Sequence, residues 1–233
     1  MAEAPLGADA LLKLMTWLSP AFPVGAYTYS HGLEWAIEDG TVTNAAGLAA
    51  WLGDILRHGA GRTDAIFFCH AWRAANAADG DRLAEVAELG VAFQPSKERH
   101  LETTAQGRAF LTAITAAWPT EPLAGLAAHF PAERQIPYPV AVAAASAAHE
   151  VPLEAALPAF LTAFVANIVS AGVRAIPIGQ TDGQKVVAAM APVVAAVARS
   201  AETAALDELG GAAFRADIAS MKHETQYTRL FRS

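Results

Sequence analysis

Apolar residues recur along most of this chain at intervals of three and four, and no stretch alternates at every second position between hairpin turns. That period belongs to helices with one buried face and leaves no signal for a sheet. Leu11, Leu14, Met15 and Leu18 repeat this way up to Ser19-Pro20. Leu48, Trp51, Leu52, Ile55 and Leu56 follow Asn44, a natural N-cap, and stop before Gly59 and Gly61. Ile66, Phe67 and Ala71 extend the pattern to Asp79-Gly80, and a further stretch runs from Asp81 to Phe93. Ser96 caps a helix carrying Leu101, Phe110, Leu111 and Ile114, which ends at Trp118-Pro119. Residues 140–149, 152–171, 181–199 and 212 onward read as helices, with Pro152 in a first turn. Pro158 and Pro192 predict kinks or boundaries. The expectation is an all-α, single-domain bundle of about nine to eleven helices over residues 1–233. Residues 1–8 and 221–233 are expected as flexible or partner-ordered tails.

Composition narrows the function. The chain has 233 residues, of which 56 are Ala, and 54% hydrophobic content against 17% charged excludes disorder as its main state. One Cys excludes an internal disulfide framework and the cysteine-rich zinc sites. A net charge of −7 without a Lys/Arg run argues against nucleic acid. Residues 1–14 lack the charged start and apolar core of a signal peptide, so a cytoplasmic location is expected. Residues 155–173 carry no formal charge, but Pro158, Thr162, Asn167, Ser170 and Gly172 lower their apolarity, and they fit a buried helix better than a membrane span. No P-loop, nucleophile elbow or H-E-x-x-H occurs, and the seven histidines are scattered singly.

Four stretches mix turn, polar and aromatic residues. They are SPAFPVGAYTYSHGLE (19–34), SKERHLETTAQGR (96–108), NIVSAGVRAIPIGQTDGQ (167–184) and ADIASMKHETQYTRLFRS (216–233). In the second, Glu98, Glu102 and Ala105 share a helical face that reads most simply as solvated. In the third, Arg174 is the lone charge between Glu154 and Asp182 and calls for a carboxylate or a partner surface. The terminus places Tyr227, Leu230 and Phe231 at helical spacing beside Arg229 and Arg232, residue types that suit an interface anchor.

Together with LETTAQGR, VSAGVRAIPIGQTDGQ and HETQYTRLFRS, the first stretch resembles the urease accessory protein UreF family, in order, from about Leu11 to Ser233. The resemblance implies a non-enzymatic, all-helical chaperone or scaffold for nickel insertion into apo-urease. It implies a homodimer that binds UreD (also called UreH) and recruits the nickel-carrying GTPase UreG, with no intrinsic cofactor. Carried onto this sequence, Tyr227, Arg229, Leu230, Phe231 and Arg232 are expected to meet UreD/UreH. Arg174, Gln180, Thr181 and Asp182 are expected to meet the GTPase. If nickel passes through this chain, His31, His149 and His223, with Glu150 or Glu224, are its expected transient ligands, since Ni²⁺ favours imidazole. The alternatives are a helical enzyme built on Cys69-His70 or a His–Glu pair, and a generic helical interaction module.

Overall fold

Caps and glycines cut the chain into eleven α-helices among the residues, 7–232, that the computed structural model describes. They are α1 (Ala8–Trp17), α2 (Leu33–Glu38), α3 (Ala45–His58), α4 (Ala60–Asn76), α5 (Gly80–Ala92) and α6 (Lys97–Ala117). There follow α7 (Glu121–Ala127), α8 (Tyr138–Ala148), α9 (Leu153–Ala175), α10 (Gln180–Thr203) and α11 (Phe214–His223). Short 3₁₀ turns lie at Ala26–Thr28 and Leu206–Glu208, and no strand occurs among the described residues. The expected all-α bundle is what forms. Asn44 and Ser96 cap as anticipated: their side chains accept from the Gly47 and Arg99 N–H groups at 2.9 and 3.1 Å.

Helix α8 is the centre. Every residue from Pro139 to Ala147 is buried, and α4, α6, α9, α5 and α7 all pack around it. Its alanines present no long side chains, which lets neighbours press on all sides. Around this pair of α4 and α8, α9 lies against α10, and α10 against α3. Helices α9 and α10 are long and apolar enough to cross a membrane, yet each spends one face on this packing. Pro158 and Pro192 end neither helix. The carbonyls they leave without an N–H belong to Glu154 and Ala188, both exposed residues, where water can take the place of the lost bond.

Of the proposed 1–8 tail only Gly7 and Ala8 are described, and Ala8 already opens α1; the remainder, like Ser233, lies outside the described residues. Helix α1 buries Leu14 and Trp17, while Leu11, Leu12 and Met15 stand in solvent. Its periodicity marks two apolar faces, and the bundle covers one.

One glycine sets how α6 meets α8. A Cβ on Gly107 would collide with the Ile136 carbonyl oxygen and come within 2.8 Å of the Pro137 carbonyl carbon. The next residue, Arg108, donates to the carbonyls of Phe130 at 2.9 Å, Pro131 at 2.8 Å and Arg134. The pair thus pins the segment entering α8. Gly107→Ala is expected to cost about 3 kcal/mol, the upper end of over-packing, because backbone rather than a side-chain tip must move. Urea unfolding with an unchanged midpoint contradicts this.

Candidate functional site

The four unusual stretches converge. The turn before α2, the first half of α6, the C-terminal end of α9, and α11 with the residues after it enclose one buried polar region. Helix α6 is the reason. Its first turns bury Glu98, Arg99, Glu102, Thr103 and Gln106, and only later turns bury Phe110, Leu111 and Ile114. Of the face that reads as solvated, Glu98 and Glu102 are therefore interior and Ala105 alone is exposed, so the solvated reading is corrected for the two acids. Buried charge demands partners, and the partners come from the other three stretches.

At one end lies a carboxylate–imidazole–carboxylate chain. His223, fully buried, sets Nδ1 2.7 Å from Glu98 and Nε2 3.0 Å from Glu34. A neutral imidazole carries one N–H and so can donate to only one of the two carboxylates at a time. Burial pushes the Glu98 carboxyl above its ordinary range, with His223 and then Arg229 pulling it back. Glu34 also accepts the backbone N–H of Leu230 at 2.6 Å and of Phe231 at 3.0 Å, and Glu98 pairs with Arg229 at 2.9 Å. The last residues are thus fastened by main chain and by charge.

The backbone that delivers these groups is tight. His31 and Gly32 both take positive φ, at 56° and 73°, and a Cβ on Gly32 would sit 2.6 Å from the Ser220 amide nitrogen. Only glycine lets this turn press on α11. Ser96 and Ser220 share a 2.7 Å hydrogen bond, and the Glu224 carboxylate accepts from Lys97 N–H at 2.9 Å, so α11 also closes the N-terminus of α6.

Arg174 joins the same place. Its guanidinium donates to the carbonyls of Ser170 (3.1 Å) and Tyr27 (2.8 Å) and lies 4.5 Å from the centre of the Phe231 ring. The lone cation is balanced by carbonyl dipoles and a π-face rather than by a carboxylate. The tail and Arg174, expected to meet different partners, are in contact. Phe231 is buried, whereas Tyr227 is fully exposed and Leu230 is 72% exposed. Exposed Arg232 donates its backbone N–H to Thr28 at 2.7 Å. Gln180 and Thr181 are exposed at the start of α10, where Lys185, 2.9 Å away, holds Asp182 below its ordinary range.

The three histidines expected as transient nickel ligands each meet partners within the chain. His223 spends both nitrogens on carboxylates, and His31 Nε2 lies 2.8 Å from Glu102 and 3.2 Å from Arg99. His149 Nε2 meets the Trp118 carbonyl at 3.1 Å, and its ring packs on Trp17. Of their suggested carboxylate companions, Glu224 caps α6 and Glu150 is exposed. Among the described residues no group of three or more His, Cys, Asp or Glu is placed to hold a metal. The thiol reading fares no better. Cys69 is fully buried, and burial raises its thiol to about 12, the opposite of what a nucleophile needs.

Sequence reasoning passed over Glu34 and Asp64. Each is an acid set among apolar residues on a helix, in GLEWAI and TDAIFF, and that contrast is the signal both offered.

The UreF family model matches residues 42–191. The chain is 57% identical over 236 residues to the urease accessory protein UreF of Rhodopseudomonas palustris strain BisB5, covering all of this chain and 96% of that one. It is 55% identical over 232 residues to the protein of the same name from strain HaA2, covering 98% and 97%. The corresponding protein of Bradyrhizobium sp. strain BTAi1 is 53% identical over 232 residues, covering 100% and 95%.

Proposed function

The chain belongs to the UreF family of urease accessory proteins, and on that premise we propose that it works entirely by surface, as the scaffold of a nickel-insertion assembly. A role in urease maturation and the absence of catalysis follow from the family. The finer reading is that UreD/UreH binds the C-terminal tail, that UreG is recruited beside Arg174, and that apo-urease receives nickel in transit. We place this work in the cytoplasm.

One observation carries the reading. The terminus is held from within by Glu34 and Glu98 while Tyr227 and Leu230 project into solvent. Holding an aromatic and an aliphatic side chain in water on a fixed backbone has no folding benefit, but it presents a recognition pair. Arg174 stacks on the Phe231 ring, which supports reading the tail and the surface we assign to the GTPase as continuous. The uncovered apolar faces of α1 (Leu11, Leu12, Met15) and α11 (Phe214, Ile218, Met221) support further contacts, including a homodimer.

The test is co-purification. A chain lacking residues 225–233, and the milder Tyr227→Ala/Leu230→Ala pair, are expected to remain helical and soluble and to lose UreD. Arg174→Ala is expected to weaken UreG recruitment without changing the helical signal. UreD binding at wild-type affinity by both tail variants overturns the reading.

A further inference from the structure

Beside the triad lies a cavity of about 150 Å³. Its polar end is made by His31, Asp64, Arg99 and Glu102, and its walls include Tyr138, Phe160 and Phe164. A space of this size holds a ligand as large as benzene.

Two of its lining residues carry acceptors that are poorly matched by donors. His31 Nε2 lies 2.8 Å from a Glu102 oxygen, which can only accept, and 3.2 Å from Arg99; the shorter contact to the carboxylate draws the ring's N–H to Nε2. Burial first and Arg99 second keep the ring below its ordinary range, hence neutral. Nδ1 is then a bare lone pair, and it is buried with no hydrogen-bond partner although the side chain is 8% exposed. The second is Asp64, 5% exposed and 3.9 Å from the Arg99 guanidinium, which is beyond hydrogen-bond reach. Arg99 gives its short contact, 2.6 Å, to Glu102 instead. The charges do not cancel. Asp64 and Glu102 share one guanidinium, and Asp217 on α11 draws on the same cation from the other side.

We propose that this cavity binds a small primary alkylammonium ion. Its N–H groups donate to His31 Nδ1 and the Asp64 carboxylate, its charge offsets the surplus carboxylate, and its alkyl chain lies on the aromatic wall. A ligand of that shape satisfies the lone pair, the charge and the apolar surface together; water satisfies only the first, and a neutral apolar molecule only the last. The cavity shares Tyr27 and Ser170 with the Arg174 clamp, so its occupant rests against the segment that seats the tail. The binding claim itself is independent of the partner reading, because it concerns the full chain alone.

The probe is n-butylammonium, with five heavy atoms to benzene's six, titrated calorimetrically into the full chain at pH 7.5. 1-Butanol and potassium chloride serve as neutral and ionic controls. One saturable site for n-butylammonium is expected, with no heat from either control. Asp64→Asn is expected to weaken binding at least tenfold. Ala163→Leu, which fills the cavity without touching the charged end, is expected to abolish binding while keeping the wild-type melting temperature, and it covers the case in which Asp64→Asn fails to fold. Equal binding of n-butylammonium and 1-butanol, no binding of n-butylammonium, or undiminished binding by Ala163→Leu overturns the proposal.

Discussion

Replacing Glu34 by alanine is expected to free the C-terminal segment and to make it the first site of proteolytic cleavage under native conditions. Glu34 is 7% exposed and collects three donors: His223 Nε2 at 3.0 Å, Leu230 N–H at 2.6 Å and Phe231 N–H at 3.0 Å. Removing the carboxylate leaves a buried imidazole nitrogen and the Leu230 and Phe231 amides without their partner. Breaking one side of such a network costs about 3–5 kcal/mol if the rest stays in place. The chain has a way out, since residues 225–232 can leave and let water reach the donors. The loss is therefore bounded by what the docked segment contributes, and local opening changes more than global unfolding. Limited proteolysis should show cleavage near Tyr227 faster by two orders of magnitude or more, at roughly 1.4 kcal/mol per tenfold, with a smaller shift in the urea midpoint. Glu34→Gln keeps one carbonyl oxygen and should fall between. A cleavage rate equal to wild type for the alanine variant means the terminus is held by something other than this carboxylate.

That network also marks where the sequence stops being legible. Helices α3 and α6 were readable because a cap residue and a 3.6-residue period agree, and both caps hydrogen-bond as their chemistry requires. The four stretches stood out because turn and polar residues interrupt an Ala-rich background. Their convergence was not visible. Glu98 and Glu102 on a helix look solvated by local rules, and only the placement of α11 and α2 turns that face inward. Contacts such as Glu34 with His223, 189 positions apart, leave no trace in spacing. The reverse holds for α1, where Leu11 and Met15 fit a buried pattern yet stay exposed, because periodicity specifies a face and not what covers it. The histidines show a third limit. A lone His does not say what it will meet, and the structure gives His223 two carboxylates and His149 a carbonyl.

Asp64→Asn is expected to gain stability relative to wild type as pH rises from 4 to 7. Asp64 sits in α4 with its carboxylate 3.9 Å from Arg99, too far to recover the hydration lost on burial. Burial is the leading cause that carries its pKa from an ordinary 3.8 to about 6; Arg99 lowers it and Glu102 raises it further. A carboxyl whose folded pKa is raised holds its proton in the native state after the unfolded chain has released it. Between about 4 and 6 the native state therefore binds more protons, and wild-type stability from this group falls with rising pH, then levels off above 6. A shift of about two pKa units corresponds to about 3 kcal/mol. Asparagine has no proton to lose and keeps a carbonyl oxygen for Arg99, so the variant lacks this slope. Urea unfolding of both proteins at pH 4, 5, 6 and 7 isolates the term, because every other titrating group is common to the two curves. The stability difference should move toward the variant by about 3 kcal/mol across that range and hold steady beyond it. A difference that does not change with pH means Asp64 is solvated or firmly paired, and the surplus negative charge assigned to the cavity then vanishes with it.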